Sequence, residues 1–125
     1  IVNVSSECGK EGSFAQGIYS ASKAAIDSLT RTWAKELSPH GIRVVAIAPG
    51  PMEATALFNS AYIDAMCHCR HITKEEMQKN YDTVTLLGRE GHLEEIANTI
   101  LFLVSNRASF ITGTTINVSG GKSRG

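Results

Sequence analysis

The first quarter of the chain holds three side chains whose types and spacing could move a proton. Tyr19 and Lys23 are four residues apart, so on a helix they project from the same face, one turn above the other. A lysine ammonium held beside a phenol favours the phenolate form, and Ser6 could hold a substrate carbonyl oxygen nearby. These residues indicate a site that interconverts a carbonyl and an alcohol. The alternative is an ordinary tyrosine–lysine pair on a helix surface.

A strand, a helix and a second strand must bring these side chains together. Residues 1–4 predict a buried strand that ends in a polar loop at Ser6. From about Ile18 to Leu37, alanines and apolar residues at spacings of three and four predict a long helix that Pro39 ends. Residues 42–48 are nearly continuous in apolar side chains, which is typical of a parallel strand covered on both faces. The three elements form a right-handed βαβ crossover.

The rest of the chain is less regular before it becomes helical again. Residues 52–85 show one capping box, which predicts a short helix from Thr73 to about Tyr81. Leu93 to Ser105 predicts another helix, and Thr115 to Val118 predicts a last strand. In the helix from Leu93 we expect these apolar residues to point mostly inward: Ile96, Ile100, Leu101, Leu103 and Val104.

Composition limits the classes of function. The 125 residues are 42% hydrophobic, which suits one small domain with a core. Twelve basic side chains balance twelve acidic ones, so we expect no attraction to nucleic acid or to an anionic membrane. No apolar run is long enough to cross a bilayer. The three cysteines are an odd number, which suits free thiols in a reducing compartment and predicts a cytoplasmic location.

Several segments, in a fixed order, carry a resemblance to a known family. They are Ile1-Val2-Asn3-Val4-Ser5-Ser6, Tyr19-Ser20-Ala21-Ser22-Lys23, Ala48-Pro49-Gly50, Gly88-Arg89-Glu90-Gly91 with Glu94-Glu95-Ile96-Ala97, Ile111-Thr112-Gly113, and Asn117-Val118 with Gly120-Gly121. In this order and spacing the chain resembles the C-terminal half of the short-chain dehydrogenase/reductase family. The resemblance implies an α/β fold, the C-terminal half of a doubly wound, Rossmann-type parallel sheet that binds a nicotinamide cofactor beyond the carboxyl ends of its strands.

The resemblance also implies a division of the domain. Residues 1–125 correspond to the C-terminal half of a single NAD(P)-binding domain, with a substrate lid at about 52–85. The N-terminal dinucleotide-binding half, with its glycine-rich turn and catalytic asparagine, is absent from these residues. The expected cofactor is NAD, with NADP left open. We therefore expect that the 125 residues alone are inactive and do not bind NADH.

By resemblance, the three opening residues are the catalytic ones. Tyr19 is the general acid/base that exchanges a proton with the substrate oxygen, and Ser6 orients and polarises the carbonyl. Lys23 assists the tyrosine and hydrogen-bonds the nicotinamide ribose, so Tyr19 and Lys23 also belong to the cofactor site. Ser5 and Ser22 are interpreted as structural, and we expect the hydroxyl of Ser22 to bond the backbone.

The same resemblance assigns cofactor contacts to the segment after the second strand. Pro49 and Gly50 let the chain turn sharply beside the nicotinamide, and Met52 contributes backbone contacts, with simple apolar packing as its alternative. The family often places a threonine five positions after that proline. Ala54 stands there, and Thr55, one position later, is the candidate for anchoring the carboxamide.

The lid segment suggests a substrate. Its basic residues, above all Arg70 and Lys74, would suit an anionic group such as a sugar phosphate, and an ordinary solvated helix face is the alternative. The lid and the tail 120–125 most resemble the subgroup that oxidises sorbitol 6-phosphate to fructose 6-phosphate with NAD. Two alternatives stay open: a reductase of 3-oxoacyl thioesters or another ketone, and a non-catalytic cofactor-binding scaffold.

Two further expectations concern metals and partners. Cys67-His68-Cys69-Arg70-His71 places thiols and imidazoles close together, but the cysteine spacing is tight and no second ligand pair follows, so we expect no metal site. Members of the family usually form homodimers or homotetramers through the long helix. Trp33 on that helix could serve either such an interface or the internal core.

Overall fold

The computed structural model describes residues 1–53 and 58–123, apart from the side chains of Tyr81 and Asp82. Its centre is a parallel sheet in the order β1-β2-β3, and this confirms the predicted α/β fold with a parallel sheet. The strands are β1 (Val2–Val4), β2 (Val45–Pro49) and β3 (Thr115–Val118). The helices are α1 (Cys8–Glu11), α2 (Gly17–Leu37), α3 (Ser60–Arg70), α4 (Lys74–Val84) and α5 (Leu93–Val104), with 3₁₀ turns at Ser38–His40 and Asn106–Ala108. Within the described ranges, no helix is both long and apolar enough to cross a membrane.

The central strand β2 is buried on both faces. Its alternate residues point to opposite sides of the sheet. Val45 and Ile47 pack with Leu103 of α5 in the main hydrophobic cluster, and each of the three is at most 1% exposed. The small residues Ala46 and Ala48 face the other side, where α2 packs. Helices therefore cover both faces of the sheet, as the continuous apolar sequence predicts.

The strand β2 begins three residues later than the sequence predicts. The N–H of Ile42 donates to the carbonyl oxygen of Leu37 at 3.3 Å and still belongs to the end of α2. Val44 bonds to a loop, since its N–H donates to Thr112 Oγ1 at 3.0 Å and its carbonyl accepts from the N–H of Gly113 at 2.8 Å. A continuous run of apolar residues does not show whether the backbone bonds to a loop or to a neighbouring strand, so the sequence predicts the start of β2 too early.

The inward face of α5 is narrower than the sequence predicts. Ile96, Ile100 and Leu103 pack on the main cluster. Leu101 and Val104 are 64% and 60% exposed, so the prediction that they point inward is wrong. A helix turns by about 100° per residue, so Leu101 is rotated well away from the face of Ile100. Val104 is four positions after Ile100 but lies at the edge of the packed face, in the last position of the helix.

Between Met52 and α5 lies a helical hairpin of α3 and α4, which we name the lid hairpin. The sequence predicted only part of it, because α3 was missed and α4 extends to Val84 rather than to about Tyr81. The predicted capping box is confirmed, since Thr73 Oγ1 accepts from the N–H of Glu76 and the Glu76 carboxylate accepts from the N–H of Thr73. The hairpin has its own small cluster of Met66, Cys67 and Met77.

Candidate functional site

Ser6 lies at the carboxyl edge of the sheet, just beyond β1. The backbone on both sides of it continues the pairing with β2, because the N–H of Ser5 donates to the Ile47 carbonyl at 2.8 Å and the N–H of Glu7 donates to the Pro49 carbonyl at 3.1 Å. Ser6 Oγ accepts a hydrogen bond from the N–H of Cys8 at 3.3 Å. Because the hydroxyl is the acceptor in that bond, its own proton can be donated to a substrate oxygen.

Helix α2 carries Tyr19 and Lys23 to the same edge. Lys23 Nζ donates to the carbonyl oxygen of Val4 at 3.0 Å, two residues before Ser6. The same nitrogen lies 5.6 Å from the centroid of the Tyr19 ring, within the range of a cation–π contact. Lys23 therefore joins the end of β1 to the tyrosine ring, which is 40% exposed and open to a substrate.

Two local features fix the position of Lys23. The hydroxyl of Ser5 donates to the backbone carbonyl of Lys23 at 3.1 Å, which ties α2 to the end of β1. Helix α1 packs on α2 so closely that a Cβ on Gly9 would lie 2.8 Å from the backbone carbon of Lys23 and 2.9 Å from the nitrogen of Ala24. A side chain at position 9 would push the lysine away from its place. The hydroxyl of Ser22 donates to the Tyr19 carbonyl at 2.7 Å, which confirms its predicted backbone bond.

The segment after β2 lies at the same edge of the sheet. Pro49 ends the strand, and a Cβ on Gly50 would lie 2.7 Å from both Cα and Cβ of Ser119, so the ends of β2 and β3 meet without room for a side chain. Met52 pairs with Gly91 in an isolated parallel bridge, and its thioether packs over that glycine. Thr55 lies outside the described residues.

The donors at this edge suit a nicotinamide nucleotide. An ammonium has three N–H groups, and Val4 takes one of those of Lys23, so two remain for the hydroxyls of a ribose. Pro49 and Gly50 bring backbone to the carboxyl end of the central strand, where open α/β sheets bind their ligands. The residues present therefore fit the expected cofactor.

A cavity of about 470 Å³ lies between the lid hairpin and the loop that precedes α2. Its lining residues come from the end of β1, that loop, the lid hairpin and the tail: Glu7, Cys8, Ser13, Phe14, Gln16, Arg70, Ile72, Met77, Asn80, Val84 and Lys122. Two hydrogen bonds close the lid onto the loop. Arg70 Nη2 donates to Ser13 Oγ at 3.1 Å, and Gln16 Nε2 donates to Tyr62 Oη at 3.0 Å. The Nε of Arg70 is buried and has no partner among the described residues.

The other residues that the sequence singled out in the lid lie elsewhere. Lys74 pairs with Asp64 at 2.6 Å on the surface and does not line the cavity. Cys67 is buried against Met77, whereas His68 and Cys69 are exposed. In the part of the chain that the structure describes, no three His, Cys, Asp or Glu side chains converge as metal ligands would.

A buried ion pair at this edge was not predicted. Glu7 is only 5% exposed, and its Oε1 accepts a hydrogen bond from Lys122 Nζ. Burial raises the pKa of the Glu7 carboxyl above its ordinary 4.5, and the hydrogen bond from Lys122 opposes that rise. The sequence indicates a role for Glu7 only through its position directly after Ser6. It cannot predict the ion pair, since Lys122 is 115 residues away along the chain.

Two further carboxylates, Glu53 and Glu95, bind the backbone at the start of α5. Glu53 accepts from the ring of His92 at 2.8 Å and from the N–H of Leu93 at 2.9 Å, and these bonds lower its pKa, the first more than the second. Glu95 accepts from both terminal nitrogens of Arg89 and from the N–H of His92, which lowers its pKa to about 2. Both carboxylates satisfy N–H groups at the start of α5.

Comparisons with known proteins show which family the chain resembles over its whole length. A family model described as enoyl-(acyl carrier protein) reductase matches residues 1–123. Sorbitol-6-phosphate 2-dehydrogenase of Klebsiella pneumoniae is 50% identical over 126 residues, which is 100% of this chain and 47% of that protein.

Two solved structures share the fold over the whole chain. The crystal structure of sorbitol-6-phosphate 2-dehydrogenase from Erwinia amylovora has a TM-score of 0.87 at 30% identity. The match includes 100% of this chain and 48% of that protein. A 3-oxoacyl-(acyl carrier protein) reductase from Brucella melitensis, crystallised with bound NAD, has a TM-score of 0.77 at 32% identity. The match includes 100% of this chain and 41% of that protein. The chain thus spans about half the length of the relatives it matches.

Proposed function

The chain belongs to the short-chain dehydrogenase/reductase family, and from that membership we propose that it forms the C-terminal half of an NAD(P)-dependent oxidoreductase. The proposed reaction moves a hydride between a nicotinamide cofactor and an alcohol or ketone. In this proposal residues 1–125 belong to one Rossmann-type domain, residues 52–85 form its substrate lid, and the dinucleotide-binding half lies in the rest of the protein.

The proton in this reaction is handled by the chain's own residues. In the oxidation direction, the phenolate of Tyr19 takes the hydroxyl proton of the substrate, and in reduction the phenol returns it. Ser6 donates its hydroxyl proton in a hydrogen bond to the substrate oxygen and so holds it near the phenol. Lys23 places its positive charge 5.6 Å from the centre of the Tyr19 ring. When bound, the cofactor supplies the hydride chemistry.

One observation carries this proposal. Lys23 Nζ contacts the end of β1 at Val4 and lies 5.6 Å from the centre of the Tyr19 ring, which supports a site in which the lysine and the phenol act together. A non-catalytic scaffold would have no need of this arrangement. We assign the cofactor contacts to Tyr19, Lys23, Pro49, Gly50 and Met52.

Thr55 keeps its proposed role at the carboxamide on sequence grounds alone. NAD is the cofactor we propose, with support from the family and from the relative that was crystallised with it. NADP stays an alternative, since the strand that would select between them is not part of the matched segments.

For the substrate we propose sorbitol 6-phosphate, oxidised at carbon 2 to fructose 6-phosphate. Support comes from the 50% identity to an enzyme named for that substrate, and from Arg70, which lines the cavity and has a buried N–H without a partner in the described ranges. A 3-oxoacyl thioester reductase is the second candidate, because such an enzyme shares the fold at 32% identity.

The deciding assay uses the full-length protein that contains this chain. NAD⁺ with sorbitol 6-phosphate is compared with NADPH and an acetoacetyl thioester under the same conditions. We expect turnover of the polyol phosphate. Turnover of the thioester alone would replace the proposed substrate by the second candidate, and failure on both with intact cofactor binding would favour a scaffold.

We also propose that the full-length protein is a homodimer or homotetramer. Helix α2 leaves apolar side chains uncovered, with Ile18 88% exposed, Leu29 41% and Trp33 37%. Trp33 therefore faces outward more than a core residue does.

The three cysteines are all free thiols, which supports the cytoplasmic location that the sequence predicts.

A further inference from the structure

The cavity beneath the lid holds a second cation besides Arg70. Lys122 comes from the tail after β3 and lines the same cavity, although it is 52 positions further along the chain. Its side chain is 31% exposed, so the ammonium is largely enclosed but still reachable from the cavity. The lining of the cavity therefore includes a guanidinium and an ammonium.

Each of these two cations is held by one partner and keeps further N–H groups that can donate hydrogen bonds. Arg70 Nη2 is bound to Ser13, and its Nε points into buried space without an acceptor among the described residues. Lys122 gives one N–H to Glu7, and an ammonium has two more. A guanidinium and an ammonium that line one cavity and keep unfilled N–H groups are donors of the kind that recognise a phosphate group.

Glu7 has the features of a residue that positions Lys122. Its backbone N–H is bonded to Pro49, its side chain is 6% exposed, and a Cβ on Gly50 would come within 3.1 Å of its second oxygen. The carboxylate is thus enclosed near the ends of β1 and β2, and its Oε2 has no hydrogen-bond partner among the described residues. Because a buried carboxylate is costly without a cation, it draws Lys122 across the edge of the sheet.

The tail is also fixed on its other side. The N–H of Leu87 donates to the Gly120 carbonyl at 3.2 Å, and the N–H of Lys122 donates to the Ser119 carbonyl at 3.1 Å. Both bonds hold the backbone of Lys122 in a defined turn next to the lid.

From these contacts we propose that Lys122, positioned by Glu7, is the second cation of the substrate's phosphate subsite and acts together with Arg70. This inference rests on the proposed function for the identity of the substrate. It extends that function by assigning a specificity-determining residue in the tail and a positioning residue beside Ser6.

Kinetics of the full-length enzyme test the proposal. Lys122→Met is compared with the wild type on sorbitol 6-phosphate and on unphosphorylated sorbitol, and Lys35→Met, on the exposed last turn of α2, is the matched control. Loss of a hydrogen-bonded charge should raise KM for the phosphorylated substrate by about tenfold to a hundredfold. We expect kcat/KM for sorbitol to stay within about threefold of the wild type, because sorbitol has no phosphate to lose. An equal loss on both substrates would reduce Lys122 to a structural anchor and overturn the proposal.

Two further variants separate positioning from binding. Glu7→Gln keeps the size of the side chain and should raise KM for sorbitol 6-phosphate less than Lys122→Met does, with kcat nearly unchanged. Lys122→Arg should restore part of the phosphate preference. A Glu7→Gln enzyme with unaltered preference would remove the positioning role. Thermal unfolding of each variant identifies any that fails to fold, and Lys122→Arg then carries the comparison.

A binding measurement keeps this inference distinct from the substrate proposal. Inorganic phosphate is titrated into the full-length protein and followed by calorimetry. Binding that Lys122→Met and Arg70→Met each weaken, in an enzyme that does not oxidise sorbitol 6-phosphate, would support the subsite while rejecting the substrate. Oxidation of sorbitol 6-phosphate with phosphate binding unaffected by Lys122→Met would reject the subsite while the function stands.

Discussion

The sheet body, made of β1, β2, β3, α2 and α5, and the lid hairpin are packed with different kinds of side chain. The body's cluster is formed by Ala108 and the branched residues Val45, Ile47 and Leu103, each at most 1% exposed. The lid's cluster is formed by Met66, Cys67 and Met77, at 6–9% exposed. Branched side chains have few rotamers, whereas methionine is unbranched and adapts its shape.

This difference matches the tasks proposed for the two regions. The body holds Ser6, Tyr19 and Lys23, whose proton transfer requires fixed distances. The lid contributes one side of the cavity and meets the body through polar contacts such as Arg70 to Ser13. In the proposed function, the more rigidly packed region would serve the chemistry, and the more adaptable one would serve the choice of substrate. Four predictions test that division, in order of expected size.

The largest effect is expected at the reacting group of the body. Tyr19→Phe in the full-length enzyme should lower kcat by about a hundredfold to ten-thousandfold, the contribution of a general acid/base. Affinity for the cofactor, measured by NADH fluorescence titration, should stay close to that of the wild type. Thermal unfolding should also be unchanged, since the ring is 40% exposed. A kcat within threefold of the wild type would contradict the assigned role.

The next effect concerns stability and should differ between the regions. Leu103→Ala should lower the free energy of unfolding of the full-length protein by about 2–5 kcal/mol, because it leaves a cavity in the main cluster. Met77→Ala should instead lower hydrogen-exchange protection chiefly in residues 60–84, since the lid has its own cluster. Loss of protection throughout β2 in the Met77 variant would show that the two regions are not separate.

A smaller effect is expected where α2 meets the sheet. Asn3 Nδ2 donates to Thr30 Oγ1 at 2.9 Å, and Thr30 is fully buried. Thr30→Val keeps the shape but leaves the amide without its acceptor, so urea unfolding should show a loss of about 1–3 kcal/mol. Thr32→Val on the same helix is the control, because its hydroxyl is exposed and bonds only Ser28 of its own helix. If both variants lose the same free energy of unfolding, the loss would come from the lower helix propensity of valine and not from the missing bond to β1.

The smallest effect is a pH dependence at the junction of lid and body. The pKa of Glu95 is depressed to about 2 by Arg89, so its contribution to stability is present above its ordinary 4.5 and is lost as the pH falls towards 2. Glu95→Gln should therefore flatten the loss of stability between about pH 5 and pH 2 in urea unfolding. Glu94→Gln, on the same first turn, is the control. An unchanged acid profile in the Glu95 variant would contradict this assignment.

Much of the body could be predicted from the sequence. Tyr19 and Lys23 were placed on one face of a helix because the spacing of four is a property of the helix itself. The elements β1, α2 and β3 lie within one or two residues of their predicted positions, since continuous apolar runs and alanine-rich periodicity are local signals. The resemblance to the family, which the comparisons confirm, rests on the same body segments.

The lid was predicted poorly for an equally physical reason. Helix α3 mixes apolar and polar residues and is only weakly amphipathic, and its ends depend on Asn59, which caps the first turn, and on His71 in a left-handed conformation. Asparagine is a preferred N-cap residue, so Asn59 is a sequence signal that the prediction missed, whereas histidine is not a usual residue at the left-handed end of a helix. Only packing of α3 against α4 gives that helix a buried face.

The sequence by itself determined which residues could do the chemistry and which local elements carry them, because helix and strand periods act over a few neighbouring residues. The tertiary structure alone decided that Lys122 meets Glu7, that Arg70 lines a cavity with them while Lys74 does not, and that Glu53 caps α5. Those pairings join residues far apart in the chain, and they follow from how the strands end at one edge and how the lid closes over it.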